Sequence, residues 1–287
     1  MNRYDYTKKI GVLGIVVNLF LLIIKLIVGF VSNSQAMIAD AFNSAGDIFA
    51  SLMTTIGNKL ASVPKDDDHN FGHGKAEYIF SLLISISMMG ISLKILIESI
   101  FSILESNQVV FSYSLCGVCV VTILLKLILY FYTKNAYKKV PNILILSSMK
   151  DHRNDCILTT CTLFSVICSL FGLYFIDGIV GIGISLWIFY TGLTIFIESY
   201  NILMDISLDN KTKEKLLSII DSMSDIQKVG EFYSVPTGYK YIVVLTIYVD
   251  GTISTLASHA IADDLEKRII RDIDKIDQVI IHVNPIV

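Results

Sequence analysis

The sequence predicts a membrane protein in two parts: an all-α domain of six transmembrane helices and a smaller α+β domain on the cytoplasmic side. Of the 287 residues, 53% are hydrophobic and only 17% are charged, whereas an ordinary soluble domain has about 25% charged residues. Six apolar segments are long enough to cross a bilayer, and a polar segment follows them from about residue 208. The net charge of −3 indicates no basic face, so no nucleic-acid partner is expected.

The six apolar segments account for most of the first 207 residues. A hydrocarbon core of about 30 Å requires about 20 helical residues, and each segment reaches that length. The predicted spans are Ile10–Phe30, Ala36–Asn58, Tyr78–Phe101, Tyr113–Tyr132, Ile143–Phe171 and Ile179–Asn201. We therefore assign residues 1–207 to a six-span transmembrane domain.

The distribution of Lys and Arg predicts the orientation of these spans. Neither residue occurs in 26–58, 95–125 or 154–210, which contain the loops after the first, third and fifth spans. Cytoplasmic loops are the ones enriched in Lys and Arg, and here the opposite loops carry them. Both termini of this multi-pass protein are therefore expected on the cytoplasmic side of the cell membrane.

Residues 208–287 have the composition of a soluble domain, with nine Lys or Arg and twelve Asp or Glu. Their patterns predict helices over Lys211–Met223 and Ser254–Ile273 and strands over Tyr241–Asp250 and Gln278–Val283. Pro285 is expected to end the last strand. A further strand before Pro236, with a turn at Thr237-Gly238, completes the order α-β-β-α-β, which is typical of a small α+β sandwich.

Two of the predicted spans carry acidic residues, and ionisable groups at bilayer depth are costly and mark function by default. The oxygen-bearing side chains of interest are Asn43 and Asp47 in the second span and Asp151 and Asp155 in the fifth. Each pair has i,i+4 spacing and therefore shares one helix face. At 1.5 Å per residue, the pair in the second span lies about 10–16 Å from the outer end of that span. The pair in the fifth span lies about 12–18 Å from its inner end, so both pairs fall near the middle of the bilayer. Because these depths match, the four side chains can form one site for a divalent cation.

Other interpretations of the intramembrane polar residues remain open. Buried carboxylates can hold helices together, although helix contacts normally use Ser, Thr or Asn, and acids at one depth repel unless cations or protons offset them. His152 and Arg153 lie off the shared face and are expected to snorkel or to pair. Lys94 and Glu98 are expected to neutralise each other. No chemical role is assigned to the other charged residues of the spans, Lys25, Lys126 and Glu198.

Four motifs resemble the cation diffusion facilitator family, and together they cover nearly the whole chain in order. They are MIADAFNSAGD in the second span, DDDHNFGHGKAE in the following loop, KDHRND in the fifth span and HAIADDLEKRI…VIIHVNP in the C-terminal part. The resemblance implies a homodimer that exports divalent metal in exchange for protons. It implies a transport site with the ligands Asn43, Asp47, Asp151 and Asp155, in which Asp40 is not a ligand. It also implies that residues 208–287 form a ferredoxin-like or metallochaperone-like domain for dimerisation and regulation.

The loop motif is similar to a second, cytoplasmic metal site of zinc-transporting members. The matching residues are Asp66, His69 and His73, whose carboxylate and two imidazoles can hold a labile divalent ion. The alternative interpretation is a solvated loop whose acids attract cations to the entrance. Lys75 and Asp205 match residues that form an interlock between subunits in relatives.

The C-terminal domain departs from the zinc-binding pattern of the family. Members with a binuclear site in this domain carry additional histidines at the positions of Gly230 and Thr246, and an acid at the position of Asn284. His259 and His282 remain. We therefore expect no full binuclear zinc site, although these two histidines could hold one regulatory ion.

The ligand set of the predicted transport site indicates the metal. Three carboxylates and one amide oxygen suit Mn²⁺ better than Fe²⁺ or Co²⁺, whereas Zn²⁺ favours nitrogen and sulfur ligands. We expect proton-coupled efflux of divalent cations with Mn²⁺ favoured, and the alternative is the same antiport with Zn²⁺ or Fe²⁺. The metal would be a substrate, with no tightly bound cofactor.

Two other classes of function are alternatives to a transporter. An intramembrane metalloenzyme would need an HExxH or a comparable set of nucleophile and base, which the spans lack, so no enzyme activity is expected. A metal-sensing membrane protein or a channel is the remaining class. Metal flux in vesicles distinguishes them, because a proton-coupled transporter needs a pH gradient, a channel does not, and an enzyme moves nothing.

Overall fold

A computed structural model of the chain describes residues 3–31, 35–105, 113–169 and 175–286; within these ranges, some helical side chains lie outside the description, including those of Asp40 and Asn43. The chain divides into two compact units. The first comprises Met1–Ser62 and Ala76–Tyr200, and the second comprises Val63–Lys75 and Asn201–Val287. The loop after the second helix therefore belongs to the same unit as the C-terminal domain.

The described part of the first unit contains six long helices, which confirms the predicted helical fold. They are α1 (Arg3–Val31), α2 (Gln35–Ala61), α3 (Ala76–Glu105), α4 (Tyr113–Lys139), α5 (Ile143–Ser169) and α6 (Phe175–Leu203). Among the described residues, α1, α3, α4 and α6 are long and apolar enough to cross a membrane. The other two helices, α2 and α5, carry the acidic residues of the predicted site.

The bundle is apolar outside and polar inside. Phe20, Ile27 and Ile128 are at least half exposed, whereas Asn18 and Thr54 are fully buried. Outward-facing apolar side chains of this kind suit the hydrocarbon core of a bilayer. Helix α5 contacts α1, α2, α3 and α4, and α2 contacts α1, α3 and α5. Helix α5 therefore lies at the centre of the bundle, and α2 packs against it.

A buried ion pair joins the first turns of three helices. The Glu77 carboxylate at the start of α3 is 1% exposed; it accepts a hydrogen bond from Arg3 of α1 at 2.5 Å and one from Asn142, just before α5, at 2.9 Å. Because a buried charge is tolerated only when it is paired and hydrogen-bonded, this cluster fixes the relative positions of α1, α3 and α5.

The second unit has the predicted order of elements. These are α7 (Asn210–Asp221), β1 (Lys228–Pro236), β2 (Tyr241–Asp250), α8 (Thr255–Asp272) and β3 (Ile276–Ile286). The sheet order is β1-β2-β3, with β1 antiparallel and β3 parallel to β2. Alternate residues of β2, such as Leu245 and Ile247, are fully buried in one core with Leu216 of α7 and Leu265 of α8. Both helices therefore contribute to the core that β2 lines.

The predicted end of the last strand was wrong. Strand β3 continues through Pro285, which pairs with Val249 of β2, and extends to Ile286. Proline is tolerated in a strand at the edge of a sheet, where its missing N–H need not face a neighbour. The turn at Thr237-Gly238 is confirmed, because the Thr237 N–H donates to the Lys240 carbonyl at 2.8 Å and Gly238 has φ +129°.

Candidate functional site

Two of the predicted ligands, on different helices, converge near the middle of the bundle. Asp47 lies near the middle of α2 and Asp155 near the middle of α5. The ammonium group of Lys126, at the midpoint of α4, donates to Asp47 Oδ2 at 2.6 Å and to Asp155 Oδ2 at 2.5 Å. One nitrogen thus contacts both carboxylates, so the two side chains lie at the same level of the bundle.

Asp151 and His152 lie beside this pair. One potential ligand atom each from Asp151, His152 and Asp155 falls within 4.8 Å of the others. The side chains of Asp47 and Asp155 are 13% and 21% exposed, so the carboxylates are largely enclosed but not sealed. The side chain of Asn43, the fourth predicted ligand, lies outside the described residues. The metal-ligand role of all four residues remains a prediction.

The expectation that His152 snorkels or pairs was wrong. The residue is 2% exposed, and neither ring nitrogen has a hydrogen-bond partner among the described residues. Helix α5 has neighbours on several sides, so a side chain about 100° around the helix from Asp151 still faces protein. Arg153, in contrast, is paired as predicted: it donates to Thr191 of α6 at 3.3 Å, and its guanidinium lies 5.3 Å from the Trp187 ring.

Lys126 is the functional residue that sequence reasoning missed. Its side chain is 1% exposed, and no acidic residue lies three or four positions from it on α4. Lys94 of α3 differs in both respects, because its side chain is 56% exposed and its Nζ lies 3.6 Å from Glu98 Oε1, as predicted. A mid-helix lysine with no acid on its own helix must find its partner on another helix, and this was the available signal.

The loop residues Asp66, His69 and His73 also come together. Asp66 accepts a hydrogen bond from the His69 backbone N–H at 2.6 Å, and its carboxylate oxygens lie 3.1 Å from His69 Nδ1 and 3.7 Å from His73 Nε2. The hydrogen bond from the His69 backbone, reinforced by the two imidazoles, lowers the pKa of the Asp66 carboxyl. One ligand atom from each side chain falls within 4.8 Å of the others.

Glycines determine the path of this loop within the second unit. Gly72 has φ +77°, a conformation that favours glycine. Gly74 lies against the turn at Thr237-Gly238, where an added Cβ would come within 3.3 Å of Gly238 Cα and closer still to the Thr237 carbonyl oxygen. Lys75 then pairs with Asp205 of the same chain at 2.7 Å. The loop is therefore attached to the C-terminal domain at both its backbone and its side chains.

The two histidines of the C-terminal domain are not part of a comparable cluster. The His259 side chain is 74% exposed on α8, with its Nδ1 3.8 Å from Asp263 Oδ1, and His282 pairs with Thr246 across β3 and β2. Among the described residues, neither belongs to a group of three potential ligands. An added Cβ on Gly230 would lie 3.1 Å from the Thr246 Cβ, so these two positions are neighbours. A regulatory ion at His259 and His282 stays a prediction.

A helix bundle with an apolar exterior and a carboxylate cluster at its centre is the architecture of a multi-pass membrane protein with a polar site inside it. Comparison with known families agrees with this class. The family "Cation efflux transmembrane domain" matches residues 11–204, and "Cation efflux protein, cytoplasmic domain" matches residues 208–286. The chain belongs to the cation efflux family, the cation diffusion facilitators that its motifs resemble. It is therefore a transporter and not an enzyme, and the metal cation is its substrate.

Relatives match along nearly the whole chain. The manganese efflux system protein MneS of Bacillus subtilis is 32% identical and is aligned over 100% of this chain and 99% of its own length. MneP of the same organism is 27% identical over 99% and 97%, and the cation-efflux pump FieF of Salmonella agona is 24% identical over 92% and 88%. The metal-bound C-terminal domain of the CzcD transporter from Thermotoga maritima matches with 21% identity over 27% of this chain and 94% of that domain, at a TM-score of 0.26.

Proposed function

We propose that this protein exports Mn²⁺ from the cytoplasm across the cell membrane in exchange for protons. It acts as a homodimer with both termini in the cytoplasm. The ligands of its transport site are Asn43, Asp47, Asp151 and Asp155. The observation that carries this proposal is the convergence of Asp47 and Asp155 on a single bonded nitrogen, with Asp151 in the same cluster.

The geometry supports transport rather than a purely structural role for these acids. A simple structural ion pair has one acid and one base, whereas Lys126 here bonds to two carboxylates and a third, that of Asp151, lies in the same cluster. Helices α2 and α5 supply these acids, and α5 contacts four other helices of the bundle. Transporters commonly place their sites near the bilayer midplane and rock the surrounding helices around them.

The ligand chemistry and the relatives both favour Mn²⁺. Oxygen ligands suit this hard ion, and the relatives MneS and MneP carry manganese efflux in their names. A second candidate is the same antiport with Zn²⁺ or Fe²⁺. It is favoured by the buried imidazole of His152, which adds a nitrogen donor beside Asp151 and Asp155 of the type that Zn²⁺ prefers.

We further propose that Asp66, His69 and His73 hold a labile divalent ion at the cytoplasmic side. The three side chains already lie within bonding reach of one point. The buried Nδ1 of His73 has no hydrogen-bond partner among the described residues, while its Nε2 faces Asp66. This arrangement supports a ligand cluster over a fully solvated loop.

Removal of either converging carboxylate tests the transport site. We expect Asp47→Ala and Asp155→Ala each to reduce Mn²⁺ efflux from proteoliposomes to background while leaving a folded dimer, because carboxylates dominate the binding of a hard cation. Glu98→Ala is the matched control: it removes an acid from an exposed ion pair of α3 and should transport normally. Near-native efflux by either site variant would refute the assignment.

A further inference from the structure

The role of Lys126 goes beyond the proposed function and rests on it. Its ammonium is 1% exposed and bonds to Asp47 Oδ2 at 2.6 Å and to Asp155 Oδ2 at 2.5 Å. These are two of the carboxylates that the proposed function assigns to the transported ion. The lysine therefore binds the same acids as the substrate, and it does so from a third helix.

An ammonium this close to both Oδ2 atoms competes with a divalent ion for the same two carboxylates. Each oxygen is already in a short, charge-assisted hydrogen bond, and two cations a few ångströms apart inside a protein repel strongly. We propose that Lys126 is a tethered competitor of the metal: its ammonium occupies the carboxylates of the unloaded transporter and must leave them before a divalent cation can bind.

The structure also provides a place for the displaced ammonium. Helical side chains point toward the N-terminal end of their helix, so the Lys126 stem lies over the preceding turn of α4. Thr122 is four residues earlier, on that turn. Its Oγ1 is buried and has no hydrogen-bond partner among the described residues. The flexible four-carbon stem of lysine allows Lys126 to exchange the carboxylates for this hydroxyl oxygen.

This competition gives the site a selectivity that its ligands alone do not provide. A monovalent cation carries the same single charge as the ammonium, which is tethered at the site and therefore present at high effective concentration. A divalent cation gains about twice the Coulomb energy from each carboxylate. The tethered lysine therefore favours divalent over monovalent ions. It also offsets part of the carboxylate charge when the transporter returns without metal.

The test is Mn²⁺ binding to the purified full-length chain in lipid nanodiscs, measured by titration calorimetry. The binding that disappears in Asp47→Ala defines the transport site. We expect Lys126→Met to bind Mn²⁺ about tenfold more tightly or more, because a unit positive charge a few ångströms from the ion is removed at a low effective dielectric. Lys94→Met, which removes an exposed lysine of α3, is the control and should leave the affinity unchanged. A Lys126→Met affinity equal to or weaker than that of the native protein overturns the proposal.

A second substitution keeps the test decisive if Lys126→Met does not yield a folded dimer. Arginine retains the charge and binds carboxylates through two parallel hydrogen bonds, so Lys126→Arg should bind Mn²⁺ about tenfold more weakly. Unchanged affinity in Lys126→Arg also overturns the proposal. These results can be distinguished from a failure of the proposed function. If Asp47→Ala keeps full Mn²⁺ binding and efflux, the transport site itself is refuted. If Asp47→Ala loses both while the Lys126 variants behave as the native protein does, only the role of Lys126 as a competitor is refuted.

The movement of the Lys126 ammonium to the Thr122 hydroxyl can be tested separately. Thr122→Val removes the acceptor and should weaken Mn²⁺ binding in the native background, because the lysine then has no alternative partner. In the Lys126→Met background the same change should have no effect. Additive effects of the two substitutions would overturn this step, since additivity is the behaviour of residues that do not interact.

Discussion

At the scale of single residues, burial determines what a charge can do in this bundle. Lys94 and Glu98 form an exposed i,i+4 pair of a kind that contributes little to stability. Lys126 is enclosed and bridges two helices, where an unpaired charge would be very costly. The i,i+4 spacing of Lys94 and Glu98 could be read from the sequence. The bridge could not, because it depends on how α4 packs against α2 and α5.

The first prediction at this scale concerns the metal preference. Asn43→His should raise Zn²⁺ transport relative to Mn²⁺, because an imidazole supplies the nitrogen donor that Zn²⁺ favours in place of a hard amide oxygen. The measurement is efflux of each metal from proteoliposomes at equal concentration. Asn43→Asp is the control, since it keeps an oxygen donor and should not raise the ratio. An unchanged metal profile in Asn43→His would mean that selectivity is determined elsewhere, for example by His152.

At the scale of elements, periodicity predicted the helices and strands well because most of them bury one face. Counting residues from the ends of the spans predicted that Asp47 and Asp155 lie close together, and both carboxylates bond to one nitrogen. Periodicity failed for His152, because a central helix such as α5 buries more than one face and the pattern no longer separates inside from outside. It failed for Pro285 because sequence alone does not show that β3 is an edge strand.

The loop at residues 63–75 carries the prediction that belongs to this scale. A carboxylate with two imidazoles suits Zn²⁺ better than Mn²⁺, so we expect the loop to bind one Zn²⁺ per chain. His73→Ala should remove that ion, as measured by equilibrium dialysis followed by metal analysis. Asp67→Ala replaces an exposed acid of the same loop that lies outside the cluster and should keep it. Equal zinc content in the native protein and in His73→Ala would favour the solvated-loop interpretation.

At the scale of the whole molecule, the chain combines a transport bundle with a second unit that includes the loop. The residues that join the two units in sequence, 63–75 and those after 200, belong to the second unit. Composition placed the domain boundary near residue 207 because hydropathy changes there. It could not show that the loop joins the C-terminal domain, since that depends on the contact of Gly74 with the turn at Thr237-Gly238. Long-range contacts of this kind leave no local signal in the sequence.

The last prediction is that an inward proton gradient drives metal efflux. Asp47, Asp151 and Asp155 lie in one cluster with a single bridging lysine. The Lys126 ammonium offsets only one of the three negative charges, so protons are expected on the remaining carboxylates when the metal leaves. An arriving divalent cation then displaces both these protons and the ammonium. The site itself is then the exchanger, and helix rocking changes the side from which it is reached. Mn²⁺ movement should be measured in proteoliposomes at fixed membrane potential, with a pH-sensitive dye reporting protons moving in the opposite direction.

Asp47→Ala should abolish both signals, and Glu98→Ala should preserve both. Mn²⁺ movement without counter-movement of protons would exclude antiport and indicate a channel, because a channel needs no exchange of charge at its site.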